Sequence, residues 1–272
     1  MTLSNSDVAH FQEKGWAVLK GFLSAEELSS FYSDFNRLLL LKAGKTQGEL
    51  KPLENRVDLE LLVDLFKTDR AGLGAVYRSL RHLQSLQKMQ LGAKFEEVYR
   101  KLFQDIGMIN VCPYTGTRID FLGEEKFLFD WHQDYHYIQL SQDSIVFWIP
   151  FTDLDKDGAV ELLDGSHLDG LRRAKMLDPM NENKNGAKTL SINHDIDFSK
   201  YASSIPSLDV GDMLVFSGLT VHRSVPQKTE PVRVTTQFRM GNFDNEDAIE
   251  RGWPVGQLEG RAFHMDHAEY VD

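Results

Sequence analysis

The chain has 272 residues, 42% of them hydrophobic and 26% charged, and a formal net charge of −11 at pH 7. This is the composition of a globular protein, and its acidity argues against partners that need a basic surface, namely nucleic acids and anionic membranes. One cysteine, Cys112, excludes an internal disulfide framework and fits a reducing compartment. With no apolar run of membrane-spanning length and no export signal, we expect a cytoplasmic protein.

The first hundred residues carry helix signals. Capping residues and apolar positions at helical spacing predict several helices and one short strand. In chain order they are a helix capped by Ser6 or Asp7 that ends at Gly15, a strand over residues 16–19, a helix capped by Ser24 that runs to about residue 41, and helices between about residues 53 and 103.

From residue 108 onward the sequence changes to short β-rich runs separated mostly by Gly, Asp, Asn or Pro. The predicted strands are residues 108–114, 118–122, 127–132, 144–151, 159–163, 213–216, 221–224 and 232–239. Many short strands favour a sandwich or barrel. We therefore expect one α+β domain over residues 1–272, with a helical part to about 105, a β core over about 106–242 and a tail over 243–272.

A candidate metal site combines His132 and Asp134 with the later His222. Two imidazoles and one carboxylate form the facial triad that binds non-haem Fe(II) in oxygenases. On a strand, alternate side chains point the same way, so His132 and Asp134 would reach one ion from one side. The His-x-Asp pattern also occurs at His167 and His264, so the pattern alone does not select the ligand pair.

Several segments together resemble the phytanoyl-CoA dioxygenase family. The resembling segments are the run from His10 to Leu28, then Trp131-His132-Gln133-Asp134, then Phe147-Trp148-Ile149-Pro150-Phe151 leading to Gly158-Ala159-Val160, then Asp164-Gly165-Ser166-His167, and finally Gly211-Asp212 through His222-Arg223-Ser224 to Arg233. They follow the family's order, and the resemblance covers residues 8–40 and 110–240.

The resemblance implies a double-stranded β-helix, that is, a jelly-roll or cupin-like core with N-terminal and inserted helices packed against it. It implies that His132, Asp134 and His222 are the catalytic metal ligands of an Fe(II)- and 2-oxoglutarate-dependent dioxygenase. Such an enzyme consumes O2, releases succinate and CO2, and hydroxylates an aliphatic C–H bond of a small molecule. His167 then lies in the family's Gly-Ser-His turn as a structural residue, and His264 lies beyond the last core strand.

The cosubstrate contacts are expected on two strands. Arg233 follows His222 by eleven residues, and in the resembling family this position binds 2-oxoglutarate. A guanidinium can donate two parallel hydrogen bonds to the carboxylate of that cosubstrate. Thr235 shares the face of Arg233 by strand period, and Arg118 lies near a position where family members often have a cationic cosubstrate contact. The alternative for Arg233 is an ion pair with a surface acid.

Substrate contacts are less defined by the sequence. Trp148 and Tyr137 could stack on a substrate, although aromatic residues on apolar strands are more often core. Arg239 shares a face with Arg233 by period-two counting and could meet an anionic group of the substrate. A second function class also fits, a cupin-like metal-binding protein or isomerase without oxygenase turnover.

Overall fold

The computed structural model describes residues 3–46, 56–104, 106–113, 116–125, 128–176, 190–253 and 263–271. Within them, six helices precede most of the strands and two short helices follow. The helices are α1 Asn5–Lys14, α2 Ala25–Ala43, α3 Leu59–Thr68, α4 Arg70–Leu80, α5 Gln84–Gln90, α6 Ala93–Leu102, α7 Glu246–Glu250 and α8 Phe263–Asp266. No helix among these residues is both long and apolar enough to traverse a lipid bilayer.

Capping boxes begin the first two helices. Helix α2 is capped by Ser24, whose side chain and backbone exchange hydrogen bonds with Glu27, as predicted. The cap of α1 is different from the predicted one, because Ser4 fills that position and Asp7 is the reciprocal acid three residues later. Helix α1 ends, as predicted, at Gly15, whose φ of 83° is a left-handed conformation.

Eleven strands occur in the described residues, and all named pairings are antiparallel. They are β1 Trp16–Leu19, β2 Ile109–Val111, β3 Arg118–Phe121, β4 Ile145–Pro150, β5 Val160–Leu163, β6 Lys175–Met176, β7 Leu190–Ser191, β8 Ser203–Ser204, β9 Met213–Ser217, β10 His222–Ser224 and β11 Val232–Asn242. The large sheet has the order β1-β9-β4-β11-β2, with β3 also paired to β11, and a smaller sheet has the order β10-β5-β8.

The large sheet lies between the helices and the smaller sheet. Strand β4 is buried throughout, as its continuous apolar sequence predicts, and its side chains alternate between two cores. Phe147 and Ile149 pack in the core that contains the helices, whereas Val146 and Trp148 pack with Leu162 of the smaller sheet. The β core is therefore covered by helices on one face, and the other face looks toward β5 and β10.

The prediction of a strand over residues 127–132 is wrong for residues 128–132, which are the ones that the structure describes. Residues 128–131 form no strand, and His132 makes only an isolated bridge with His222. The backbone groups that would form a strand ladder here bond to side chains instead. Trp131 N donates to the Asp130 carboxylate, and the Asp130 carbonyl accepts from His132 Nδ1. Asp134 then opens a 3-10 turn that ends at His136, so His132 and Asp134 do not share a strand face.

Candidate metal centre

Three potential metal ligands converge where the loop after β3 meets β10. One ligand atom from each of His132, Asp134 and His222 lies within 4.8 Å of the other two. Asp134 Oδ1 is 3.5 Å from Nε2 of either histidine. All three side chains are buried. The local fold that brings them together is the backbone bridge between His132 and His222, closed by two N–H···O hydrogen bonds of 3.0 Å.

Backbone carbonyls fix the orientation of both imidazoles. His132 Nδ1 lies 2.7 Å from the carbonyl oxygen of Asp130, and His222 Nδ1 lies 2.9 Å from that of Thr220. A carbonyl oxygen only accepts hydrogen bonds, so each Nδ1 donates to the backbone and each Nε2 is the nitrogen that a metal could reach. Burial, together with the nearby His222, lowers the pKa of His132, which favours the neutral, metal-binding form.

Asp134 remains ionised in this buried position. Burial raises the pKa of its carboxyl, but the charge of Arg239 and the two neighbouring histidines together outweigh burial and hold the pKa well below its usual range. Arg239 Nε donates to Asp134 Oδ2 at 2.7 Å, while Oδ1 faces the histidines. The donor set is therefore two imidazoles and one carboxylate, which fits a divalent transition metal such as iron.

Gln133, between the two ligands, is a positioning residue that the sequence pattern did not reveal. Its side chain is completely buried and points away from the donor atoms. Its Nε2 donates to the carbonyls of Gly170 and Leu219, and its Oε1 accepts from the backbone of Arg172. These bonds join the His132–Asp134 segment to the chain just before His222, which fixes the two halves of the donor set relative to each other.

A second group of charges lies on neighbouring strands β3 and β11. Arg233 Nε and Nη2 donate to Asp120 Oδ2 at 3.3 and 3.2 Å, and its Nη1 donates to the carbonyl of Val225 at 2.9 Å. Arg118 Nη2 donates to Asp120 Oδ1 at 2.8 Å. Burial raises the pKa of Asp120, but the two guanidiniums outweigh burial and lower it. The cluster thus combines two cations with one anion.

Strand register explains this second cluster. Arg233 is directly opposite Asp120 and Thr235 is directly opposite Arg118 in the β3–β11 pairing. Both Arg233 and Thr235 are buried, at 4% and 1% exposure. The alternative of an ion pair between Arg233 and a surface acid is therefore wrong. Arg233 does pair with an acid, but that acid, Asp120, is buried.

One cavity of about 420 Å³ is lined by all nine residues named from the sequence. These are the three metal-ligand candidates His132, Asp134 and His222, the cosubstrate candidates Arg233, Thr235 and Arg118, and the substrate candidates Trp148, Tyr137 and Arg239. Trp148 also packs in the core between the sheets, and the Tyr137 hydroxyl approaches the backbone of Leu190. Residues missed by sequence reasoning but present in the lining include Asp120, Gln237, Tyr77 and Arg81.

The other His-x-Asp pairs lie elsewhere. His167 is in a 3-10 turn, Ser166–Asp169, and its ring faces Phe11 and Gly15 rather than the cavity. This agrees with its structural assignment. The side chain of His264 lies outside the described residues.

Comparison with known proteins links the chain to a family. The model of the phytanoyl-CoA dioxygenase (PhyH) family matches residues 11–235. The phytanoyl-CoA dioxygenase domain-containing protein 1 homolog of Dictyostelium discoideum is 21% identical over 307 residues, covering 95% of this chain and 100% of the relative.

Solved structures show the same fold. The non-haem α-ketoglutarate-dependent carbocyclase SnoK from nogalamycin biosynthesis superposes with a TM-score of 0.58 at 16% identity, covering 89% of this chain and 85% of SnoK. EctD from S. alaskensis with bound Fe superposes with a TM-score of 0.55 at 14% identity, covering 89% of this chain and 78% of EctD.

Proposed function

The chain belongs to the phytanoyl-CoA dioxygenase family, and from that premise we propose that it is an Fe(II)- and 2-oxoglutarate-dependent dioxygenase. It would hydroxylate an aliphatic C–H bond of a small molecule, with O2 as second cosubstrate and succinate and CO2 as products. The observation that carries the proposal is that a His-Asp-His donor set lines one cavity with two guanidiniums, those of the buried Arg233 and the partly buried Arg118. In the proposed single domain, the two sheets form a double-stranded β-helix.

The three ligands would hold the iron. His132 and His222 offer Nε2, and Asp134 offers the oxygen that faces them. Iron bound there supplies the redox chemistry that couples O2 reduction to decarboxylation of the cosubstrate and oxidation of the substrate. The chain contributes placement, because the carbonyls of Asp130 and Thr220 keep each imidazole in one tautomer and one orientation.

The charge cluster on β3 and β11 binds the distal carboxylate of 2-oxoglutarate. Arg118 and Arg233 both pair with the carboxylate of Asp120, so two guanidiniums lie side by side in the cavity lining. Of the five N–H groups of Arg233, three have partners among the described residues, so two are left for an incoming carboxylate. Thr235 adds a hydroxyl to the same lining.

Tyr137 and Trp148 form part of the proposed substrate side of the cavity. Trp148 is buried and Tyr137 partly buried in the lining beside the donor set, and the Tyr137 ring lies edge-on to His132. Their rings exclude water from the reacting C–H bond and orient an apolar part of the substrate. Arg239, also considered for the substrate from the sequence, has its Nε engaged by Asp134.

A cupin-like metal-binding protein or isomerase without turnover is the alternative function. It accounts equally well for the donor set. It gives no reason for two guanidiniums in the same cavity, whereas an enzyme that uses a dicarboxylate requires a cation there. The charge cluster therefore favours the oxygenase.

The test is cosubstrate turnover. Purified protein is incubated with Fe(II), 2-oxoglutarate and O2, and succinate is quantified by mass spectrometry, first alone and then with a substrate library screened for a gain of one oxygen. We expect slow succinate formation alone and faster formation with a substrate. His132→Ala and Asp134→Ala should abolish it, while His167→Ala should retain it. Metal binding without succinate under every condition would favour the alternative.

A further inference from the structure

The two carboxylate oxygens of Asp134 have different surroundings. Oδ1 is 3.5 Å from each of the Nε2 atoms of His132 and His222, where a shared ion would lie. Oδ2 points to the other side, where it accepts a 2.7 Å hydrogen bond from Arg239 Nε. Both partners are buried, with Asp134 6% exposed and Arg239 8% exposed. The ion pair is therefore shielded from solvent and orients the carboxylate.

The guanidinium of Arg239 is itself held in place. Its Nη2 donates to Gln237 Oε1, two residues earlier on the same face of β11. Gly116 lies next to this guanidinium, and its backbone N–H donates to the Gln237 carbonyl. A Cβ at position 116 would lie 3.1 Å from Arg239 Nη1, tighter than nine in ten real Cβ contacts, so the guanidinium would have to shift by a few tenths of an ångström.

We propose that Arg239 is a positioning residue that makes Asp134 a one-oxygen metal ligand. By occupying Oδ2, Arg239 leaves only Oδ1 for the ion. The inference rests on the proposed function, since it assumes a metal at the His-Asp-His set. The prediction from the sequence that Arg239 meets an anionic group of the substrate is a separate one, because it concerns N–H groups other than the Nε that donates to Asp134.

The consequence concerns the number of open positions at the metal. A facial triad functions because three protein donors leave the remaining positions to cosubstrate and O2. A carboxylate that rotated to offer both oxygens would occupy one of those positions. Arg239 prevents that rotation, because Oδ2 would have to leave a buried charge-assisted hydrogen bond to reach the ion.

A purely electrostatic role makes opposite predictions. A guanidinium near a divalent cation repels it, so removal of its charge alone would tighten metal binding, and Arg239→Lys, which keeps the charge, would behave like the wild type. Positioning requires the planar fork and its fixed Nε–H, which lysine lacks. The lysine and glutamine variants together separate the two explanations.

The experiment measures Co(II) affinity of the full chain by competition with a chelating dye, and records the visible spectrum of the Co(II)-loaded protein. Partners that orient a metal ligand typically contribute about 10- to 100-fold in metal affinity. We expect Arg239→Lys and Arg239→Gln each to change the visible bands, which report the donor set, and to shift the Co(II) affinity at least about ten-fold. Arg223→Gln, a matched control, removes a cavity-lining cation paired with Glu161 and should leave both unchanged.

The outcomes divide cleanly. Wild-type affinity and spectrum in both Arg239 variants would overturn the inference, as would tighter binding in Arg239→Gln with an unchanged Arg239→Lys. If Arg239→Gln does not fold, Gln237→Leu takes its place, since it keeps Arg239 but removes the acceptor that holds it. No Co(II) binding by the wild-type protein would instead contradict the proposed function, independently of Arg239.

Discussion

Replacement of Arg233 by alanine tests the cosubstrate site most directly. The guanidinium is 4% exposed, and the proposed bond to 2-oxoglutarate is a bidentate, charge-assisted pair in a buried site. Such a pair contributes about 2–3 kcal/mol, which corresponds to about a 30- to 150-fold loss of affinity. We expect Arg233→Ala to raise the apparent KM for 2-oxoglutarate by that factor. Arg233→Lys, which keeps the charge but not the fork, should recover only part of it.

Folding should largely survive this substitution, because Asp120 keeps its second cation. Arg118 still donates to Asp120 Oδ1, so no buried carboxylate is left unpaired, and the Val225 carbonyl loses one hydrogen bond. The expected loss of unfolding free energy is about 1–2 kcal/mol. Affinity is measured calorimetrically on the metal-loaded protein without O2, and KM from succinate formation. A stable Arg233→Ala variant with unchanged 2-oxoglutarate affinity would refute the assignment of this site.

Three further substitutions test the surroundings. Gln133→Leu should lower the unfolding free energy by about 3 kcal/mol in urea titrations, since three backbone groups, one of them in a buried pair, lose their partner. Asp155→Asn should cost about 2 kcal/mol at pH 7, because the carboxylate accepts from Thr229 and neighbouring backbone. Burial raises the Asp155 pKa, but these bonds lower it to about 2, so the wild-type advantage should fade between about pH 4 and pH 2. Burial lowers the pKa values of His136 and His267 to about 4. Acidification from pH 6.5 toward pH 4 should therefore lower the free energy of unfolding, by about 1 kcal/mol per histidine at pH 5.5. His267→Phe should reduce that loss. An equally steep pH dependence of the unfolding free energy in this variant would contradict the prediction.

Strand periodicity accounts for what the sequence predicted well. Arg233, Thr235, Gln237 and Arg239 alternate along β11, and all four line the cavity, as period-two counting indicates. Alternation also explains β4, whose apolar side chains supply both cores. In these segments, local pattern and tertiary environment agree, so the face of each residue follows from its position in the strand.

Side-chain capture of backbone groups explains where the prediction failed. His132 and Asp134 were expected on one strand face, yet the Asp130 carbonyl accepts from His132 Nδ1 and Asp134 begins a turn. The pair still converges, because the backbone bridge to His222 and the buried amide of Gln133 fix the segment. Those contacts join residues about ninety positions apart, and periodicity carries no information about them.

Asp120 could have been found by extending the same argument. It lies two residues after Arg118, on the same strand face, and the register with β11 puts it opposite Arg233. The sequence reasoning used Arg118 as an isolated cation and did not consider what would neutralise it. A buried cation needs a counter-charge, so each predicted cationic contact on a core strand should prompt a search for an acid at i±2.

The donor set alone does not determine which substrate reacts, so selectivity must come from residues that line the rest of the cavity. Tyr77 and Arg81 are such residues, four positions apart near the end of α4 and therefore on one face of the chain as it leaves the helix. They come from the inserted helices, outside the β core that holds the metal ligands and the charge cluster. The β core can therefore keep the same metal ligands and charge cluster while the cavity-lining side chains of the helical insert differ. A search for determinants of specificity should begin at α4.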